Sequence, residues 1–260
     1  MIDLSGKIAL VTGAARGIGF GCARQMANAG ANIILNDRPG SEFLAEAANE
    51  IRSLGRKCYP IEANVFSREG CEMLVEKAVE QAGKIDILLS NPAYNRRQTF
   101  LEYDPKNFED TISAALVGGF NMSQLVARHL VERKSPGKII FISSVLAESP
   151  NALCLSYSAA KAALNQMTKS IAVEMFEHRI NVNSIMPGWI DTPGERDSFT
   201  EETIVAEGKK LPWGRLGTID DIGNTAAFLA SDASDYITGV ALAVDGGYLI
   251  KGGREIPTDE

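Results

Sequence analysis

The chain has 260 residues, with a formal net charge of −7 at pH 7, 45% hydrophobic residues and 23% charged residues. This acidic balance argues against a nucleic-acid partner, which needs a basic surface, and the length suits one α/β domain. No apolar run approaches the roughly 18 residues of a membrane span. The N-terminal residues also lack a signal-peptide pattern, so we expect a cytoplasmic protein with no membrane partner.

The first strand and the turn after it predict a phosphate-binding site. Residues 7–11 form a short apolar run, and a glycine-rich turn, Thr12-Gly13-Ala14-Ala15-Arg16-Gly17-Ile18-Gly19, leads into a helical pattern. Glycine lets the backbone approach an anion, and the free N–H groups and dipole of a helix N-terminus attract one. The spacing is G-x-x-x-G-x-G, and the alternative is a tight turn with no ligand.

The second strand, residues 32–35, is followed by the acidic residue Asp37. A carboxylate at this point of a dinucleotide-binding unit accepts from the adenosine ribose 2′-hydroxyl and repels a 2′-phosphate. The sequence therefore favours NAD over NADP. Arg16 and Arg38 leave NADP open, because either guanidinium could pair with a 2′-phosphate.

Strand and helix patterns alternate through the rest of the chain. This alternation predicts one α/β domain over residues 1–252, a Rossmann-type doubly wound parallel sheet of about seven strands with helices on both faces. The polar segment 194–212 is predicted to be a mobile lid, and 253–260 a polar tail. Predicted helices cover about 41–54, 67–81, 104–134, 152–178 and 218–231, and predicted strands cover 57–61, 85–89, 139–142, 181–185 and 240–244.

A serine, a tyrosine and a lysine are predicted to meet where one strand ends. Ser144 follows the apolar run 139–142, and Tyr157 and Lys161 lie four residues apart on the next helix. That spacing places both side chains on one helix face. A neighbouring ammonium lowers the pKa of a phenol, which could then exchange a proton with an alcohol or carbonyl. A Tyr-x-x-x-Lys pair alone is more often a solvated helix face.

Four scattered cysteines and two histidines give no catalytic or metal-binding pattern. Cys22, Cys58, Cys71 and Cys154 include no C-x-x-C pair, and the thiols are expected to be reduced and buried. With only two histidines, a zinc site or a Ser-His-Asp triad is not expected.

Taken together and in order, these motifs resemble the short-chain dehydrogenase/reductase family. The resemblance covers essentially all of residues 1–250, and the thirteen-residue step from Ser144 to Tyr157 selects Ser144 over Ser143. It implies hydride transfer between a substrate carbon and C4 of a nicotinamide. The residues that carry the resemblance are the glycine-rich turn, Ser144, Tyr157, Lys161, Pro187-Gly188 and Asp245-Gly246-Gly247.

The resemblance also implies a role for each matching residue. Tyr157 would be the general acid/base, Lys161 would lower its pKa and hold the nicotinamide ribose, and Ser144 would polarise the substrate oxygen. The remaining cofactor contacts would come from Gly13, Arg16, Gly17, Ile18, Gly19, Asp37, Asn64, Val65, Asn91, Pro187, Gly188, Ile190 and Thr192.

Two departures from the family pattern concern the site. The family's Asn-Asn-Ala-Gly after the fourth strand is Ser90-Asn91-Pro92-Ala93 here, and Ala115 stands where the family has an asparagine in the long helix. That asparagine is thought to anchor a water relay to the lysine. A catalytically weak nucleotide-binding scaffold is therefore one alternative to an enzyme.

The substrate is expected to be a small alcohol, sugar or carbonyl compound. The overall pattern is most similar to the glucose 1-dehydrogenase-like branch, and a 3-oxoacyl or ketone reductase is the alternative enzyme. Family members are commonly tetramers paired through the two helices predicted at about 104–134 and 152–178. Arg96, Arg97 or Arg196 could bind an acidic sugar, and the candidate substrate-binding residues are Asn95, Glu148, Asn151, Trp189 and Glu195.

Overall fold

Seven short runs of mostly buried residues pair side by side as parallel strands. The computed structural model describes residues 2–253, in which the strand order is β3-β2-β1-β4-β5-β6-β7. The order reverses between β1 and β4, which leaves a crevice at the carboxyl edge of the sheet. The strands are β1 (Ile8–Val11), β2 (Asn32–Asp37), β3 (Cys58–Glu62), β4 (Ile87–Ser90), β5 (Gly137–Ile142), β6 (Ile180–Pro187) and β7 (Ala241–Val244).

Helices cover both faces of the sheet and enclose two hydrophobic cores, as the sequence predicts. One core packs α1, α2 and α9 against the sheet, and the other packs α3, α5 and α6 against its opposite face. The helices are α1 (Gly17–Asn28), α2 (Leu44–Ser53), α3 (Arg68–Ala82), α4 (Pro105–Ile112), α5 (Gly118–Glu132), α6 (Leu155–Met175), α7 (Pro193–Arg196), α8 (Glu201–Gly208) and α9 (Ile219–Ala230).

Two predicted segments have a different local structure. The single helix predicted over 104–134 is divided by a π-helical segment, Ser113–Val117, between α4 and α5. The predicted lid, 194–212, contains α7 and α8, which begin at the side-chain caps of Thr192 and Thr200. Of the predicted tail, Gly253 ends a 3₁₀ segment (Tyr248–Gly253), and 254–260 lie outside the described residues.

Across residues 2–253, none of the helices combines the length and apolar character that crossing a membrane requires.

Helices α1 and α9 approach each other closely because glycines face each other where they cross. A Cβ atom added to Gly223 would lie 2.5 Å from the carbonyl oxygen of Gly21. A Cβ added to Gly21 would lie 2.6 Å from the carbonyl oxygen of Ile219. Both contacts involve backbone, which cannot rotate away, so this crossing excludes any larger residue.

We expect Gly223→Ala to lower the free energy of unfolding by about 1–3 kcal/mol. The cost of overpacking is larger than the stabilisation from the higher helix propensity of alanine. Chemical denaturation measures the change in the free energy of unfolding. Gly119→Ala is the matched control, since a Cβ there would meet Leu164 at 3.4 Å, close to ordinary contact. Equal stability of the two variants would contradict the close-packing account.

Candidate active site

Lys161 and Tyr157 lie on successive turns of α6, beside the end of β5. The Lys161 side chain is 1% exposed, and its Nζ donates a hydrogen bond to the Ile142 carbonyl at 2.7 Å. The same Nζ lies 5.4 Å from the centroid of the Tyr157 ring. Ser143 donates to the Lys161 carbonyl at 3.2 Å, so strand end and helix are joined at two points.

Ser144 completes this group, as the residue spacing predicts. Its Oγ accepts from the backbone N–H of Leu146 at 3.1 Å, which orients the hydroxyl at the end of β5. A hydrogen bond from the same side chain acts on the phenol of Tyr157 and favours the phenolate. The structure therefore gathers a hydroxyl, a phenol and an ammonium at the carboxyl edge of the sheet.

Burial dominates the electrostatics of the pair. It raises the pKa of Tyr157 to about 12, an effect that the hydrogen bond with Ser144 opposes. Burial also lowers the pKa of Lys161 to about 8. The expectation that Lys161 gives Tyr157 a lowered pKa is wrong for this structure, because desolvation outweighs the lowering influences on the phenol.

The glycine-rich turn has the geometry of an anion cradle. Gly13 and Gly17 have φ angles of +59° and +62°, which favour glycine. Helix α1 begins at Gly17, and Arg16 caps it without a side-chain hydrogen bond, so the first N–H groups keep their capacity to donate. These residues fit a dinucleotide pyrophosphate.

Asn91 holds this turn against the end of β4. Its Nδ2 donates to the Gly13 carbonyl at 2.9 Å, and its N–H donates to Thr12 Oγ1 at 3.3 Å. A Cβ atom on Gly19 would lie 2.8 Å from the same Nδ2 and 2.3 Å from the Gly13 oxygen. Gly19 therefore permits the close approach that the turn requires. Asn91 positions the turn through these two hydrogen bonds at the end of β4.

The candidate adenosine end lies where β2 and β3 finish. Asp37 is the last residue of β2, and its Oδ1 accepts from the N–H of Arg38 at 2.7 Å. Val65 is buried, and Asn64 Oδ1 accepts from the N–H of Phe66 at 3.1 Å. These three predicted residues share one corner of the sheet edge.

Asn36 belongs to the same corner and was missed by the sequence analysis. Its Nδ2 donates to the carbonyls of Ile61 and Ala63, at 3.0 and 3.2 Å, which fastens β2 to the end of β3. Its Oδ1 is buried without a hydrogen-bond partner among the described residues. A polar residue inside an apolar strand, next to Asp37, is the signal that could have identified it.

The segment after β6 leads from the sheet edge into the lid. Pro187 and Ile190 are buried, and a Cβ on Gly188 would lie 2.8 Å from the Cα of Asp245. Thr192 Oγ1 accepts from the N–H of Glu195 at 3.3 Å and caps α7. The four predicted cofactor-binding residues of this segment therefore follow one another along the crevice. They are Pro187, Gly188, Ile190 and Thr192.

The segment that the sequence predicts to be a lid touches the glycine-rich turn. Arg16 forms an ion pair with Asp197 at 3.5 Å, and its guanidinium also lies over the Phe43 ring at 5.5 Å from the centroid. A Cβ on Gly17 would lie 3.9 Å from the side chain of Thr192. Asp197 follows α7 directly and was not predicted, because nothing in its local sequence indicates a partner so far away.

Trp189, which lies between β6 and the predicted lid, contacts Glu195 in α7. The indole Nε1 of Trp189 donates to Glu195 Oε2 at 2.9 Å, and the negative charge of Glu195 contributes to the raised pKa of Tyr157. Trp189 also meets Phe199 edge-on, with ring centroids 5.7 Å apart. The Arg97 guanidinium lies over Phe199, 5.5 Å from its centroid, and links the loop after β4 to the lid.

The other candidate substrate residues divide into two groups. Asn95 donates to the Sγ of Cys154 at 3.9 Å, and Cys154 is close enough to Tyr157 to affect its pKa. Glu148 and Asn151 are exposed, and within residues 2–253 their side chains make no hydrogen bond or ion pair. The structure therefore connects Asn95 to the site and leaves the other two unconnected.

The three candidate arginines also differ. Arg196 is held by Asp191 at 2.7 Å and by Glu201. Arg96 donates to the Tyr94 hydroxyl at 2.6 Å. Arg97 has no carboxylate partner within the part of the chain that the structure describes.

The structure places both departures from the family pattern, Ala115 and the segment Ser90-Asn91-Pro92-Ala93. Ala115 lies in the π-helical segment with 3% exposure, so a methyl group occupies the place of the family's asparagine. A Cβ on Gly13 would lie 3.4 Å from the Cα of Pro92, which shows that the altered turn packs directly on the glycine-rich turn. Ala93 is exposed. Within residues 2–253, no group of three or more potential metal ligands is present.

Comparison with known proteins agrees with this geometry. Residues 13–249 match the family model described as enoyl-(acyl carrier protein) reductase. The chain is 36% identical over 252 residues to 2-dehydro-3-deoxy-D-gluconate 5-dehydrogenase of Dickeya dadantii, covering 96% of this chain and 98% of that one. It is 34% identical over 247 residues to 3-oxoacyl-[acyl-carrier-protein] reductase FabG of Thermotoga maritima, covering 95% and 99%.

A solved structure gives the same result in three dimensions. A short-chain type dehydrogenase/reductase from Mycobacterium marinum superposes with a TM-score of 0.89 at 33% identity, covering 96% of this chain and 98% of that one. The sheet order, the glycine-rich turn and the Ser144, Tyr157 and Lys161 group all agree with this likeness. The chain belongs to the short-chain dehydrogenase/reductase family and is an oxidoreductase that acts on CH–OH groups with a nicotinamide cofactor.

Proposed function

We propose that the protein oxidises a secondary hydroxyl of a sugar acid, or reduces the corresponding ketone, with Tyr157 as the general acid/base. The observation that carries the proposal is the meeting of Ser144, Tyr157 and Lys161 beside a glycine-rich turn that fits a pyrophosphate. The bound nicotinamide supplies or accepts the hydride. Tyr157 exchanges the proton of the substrate oxygen, Ser144 hydrogen-bonds that oxygen, and Lys161 binds the nicotinamide ribose.

Arg97 supports a sugar acid rather than a free aldose such as glucose. It is the one of the three candidate arginines that keeps its donors available for a ligand within the described residues. A guanidinium recognises a carboxylate through paired hydrogen bonds. The relative from Dickeya dadantii, which acts on 2-dehydro-3-deoxy-D-gluconate, supports the same substrate class.

A 3-oxoacyl thioester reductase is the second candidate, favoured by the similarity to FabG of Thermotoga maritima. The two candidates differ beside the reacting carbon, where the acyl chain of a 3-oxoacyl thioester has no hydroxyl to donate to Glu195. A catalytically weak scaffold is the third candidate, motivated by Ala115.

We expect turnover of 2-dehydro-3-deoxy-D-gluconate or a related hydroxy acid, followed by nicotinamide absorbance at 340 nm. Tyr157→Phe should lower kcat/KM by about 10²–10⁴, because proton transfer loses its donor and acceptor. For alcohol oxidation, kcat/KM should rise with pH through the neutral and alkaline range, since the pKa of Tyr157 is raised to about 12 and only the phenolate accepts a proton.

Tyr236→Phe is the control, because Tyr236 is fully exposed. Preference for aldoses, or for 3-oxoacyl thioesters, would replace the sugar-acid proposal with that substrate class. Tight cofactor binding without turnover of any of the three would favour the scaffold.

We propose that NAD is the preferred cofactor, with Asp37 bound to the adenosine ribose. Arg16 is already engaged by Asp197 and Phe43, which weakens its claim to a 2′-phosphate. Asp37→Ser should lower kcat/KM for NAD by about 10- to 100-fold, because hydrogen bonds to charged groups are the strong ones, and should raise the NADP/NAD ratio. Glu46→Gln on α2 is the control, and an unchanged ratio in Asp37→Ser would contradict the assignment.

We also propose a homotetramer that pairs through α5 and α6. These helices expose Phe120 and Val173, and Phe176 follows directly after α6. Large apolar side chains exposed on two packed helices are typical of an interface between subunits. Light scattering should give about four times the 28.0 kDa mass of one chain, and a monomer mass would contradict the proposal.

A further inference from the structure

Glu195 is an acceptor held in a fixed position. Trp189 donates to its Oε2 at 2.9 Å, and its N–H is bound to the carbonyl of Thr192 at 3.0 Å. Trp189 is in turn packed edge-on against Phe199. The indole therefore holds the carboxylate of Glu195, and the hydrogen bond to Thr192 holds its main chain.

The carboxylate retains unused capacity to accept hydrogen bonds. Its neighbour Arg196 is engaged by Asp191 and Glu201, and no lysine or arginine among residues 2–253 forms an ion pair with Glu195. Trp189 is its one side-chain donor there, and it bonds to Oε2. Carboxylate oxygens accept hydrogen bonds, so this remaining capacity is available for an O–H or N–H donor of a ligand.

The position of Glu195 identifies that ligand. Glu195 lies on α7, whose cap Thr192 borders the glycine-rich turn, and Trp189 holds its carboxylate close enough to Tyr157 for its charge to act on the phenol. Arg97, whose guanidinium lies over the Phe199 ring, is suited to the carboxylate of the substrate. A sugar acid therefore has its acidic end at Arg97 and its hydroxyl-rich end at Glu195.

We propose that Glu195 accepts a hydrogen bond from a substrate hydroxyl on a carbon adjacent to the one that is oxidised. Trp189 acts as a positioning residue, because its indole orients the carboxylate. The inference rests on the proposed function and goes further, since it names the residue that selects polyhydroxy substrates. A ketone without that neighbouring hydroxyl leaves the carboxylate unpaired and is discriminated against.

The test compares kcat/KM for 2-dehydro-3-deoxy-D-gluconate, oxidised at C5, with its 4-deoxy and 6-deoxy counterparts. The unaltered protein should prefer the parent to one of the deoxy compounds by about 10- to 100-fold, as expected for a hydrogen bond to a charged group. Glu195→Leu should reduce this preference to about twofold or less. Trp189→Phe, which keeps the ring contact with Phe199, should reduce it partly.

Glu202→Gln is the matched control, because Glu202 is an exposed acid in the same lid without a described partner. A second readout is the pH profile of oxidation, which should move to lower pH in Glu195→Gln because the carboxylate raises the pKa of Tyr157. The other groups that face this phenol are Ser144, Cys154 and Lys161, and they are unchanged in the variant. A purely structural role would lower kcat without moving the profile.

The two possible failures are distinguishable. If the unaltered protein turns over no polyhydroxy acid, the proposed function is wrong and the inference falls with it. If it turns over the parent compound but Glu195→Leu keeps the preference over both deoxy compounds, the function stands and the role of Glu195 is wrong.

Discussion

The buried ammonium of Lys161 is the interaction on which the site depends. Removing a charge from water is costly, so the group needs an acceptor, and the carbonyl of Ile142 provides one at 2.7 Å. This bond fixes α6 against the end of β5 and thereby places Tyr157, one turn earlier, beside Ser144. The same burial lowers the pKa of Lys161 and raises that of Tyr157, so one packing arrangement sets both the geometry and the protonation of the pair.

Burial patterns made most of the fold predictable. The strands were identified within about two residues, because most are short apolar runs between polar turns, including β7, whose residues are not fully buried. The interruption at Ser113–Val117 was not predicted, because the residue types of this segment do not distinguish i→i+5 from i→i+4 hydrogen bonds. The lid helices carry side-chain caps at Thr192 and Thr200 that could have been recognised, since each threonine precedes an acidic first turn.

The site was predictable where its motifs are local and hidden where it depends on distant contacts. The glycine-rich turn and the Tyr157–Lys161 pair are local motifs. Both lie at the expected edge of the sheet. The contact of Arg97 with Phe199 joins segments about a hundred residues apart, which no local pattern encodes. The raised pKa of Tyr157 was not predicted for a related reason. Desolvation depends on the whole packed environment of the phenol rather than on one neighbour.

The ion pair between Arg16 and Asp197 has a consequence for the order of events in a catalytic cycle. It joins the glycine-rich turn to the segment that the sequence predicts to be a lid, and Thr192 lies close to Gly17 beside it. Any movement of this segment away from the glycine-rich turn has to break the ion pair. We propose that segment 194–212 opens when the spent nucleotide leaves, which would break this ion pair, and an opening step of this kind can set the rate at saturating substrate.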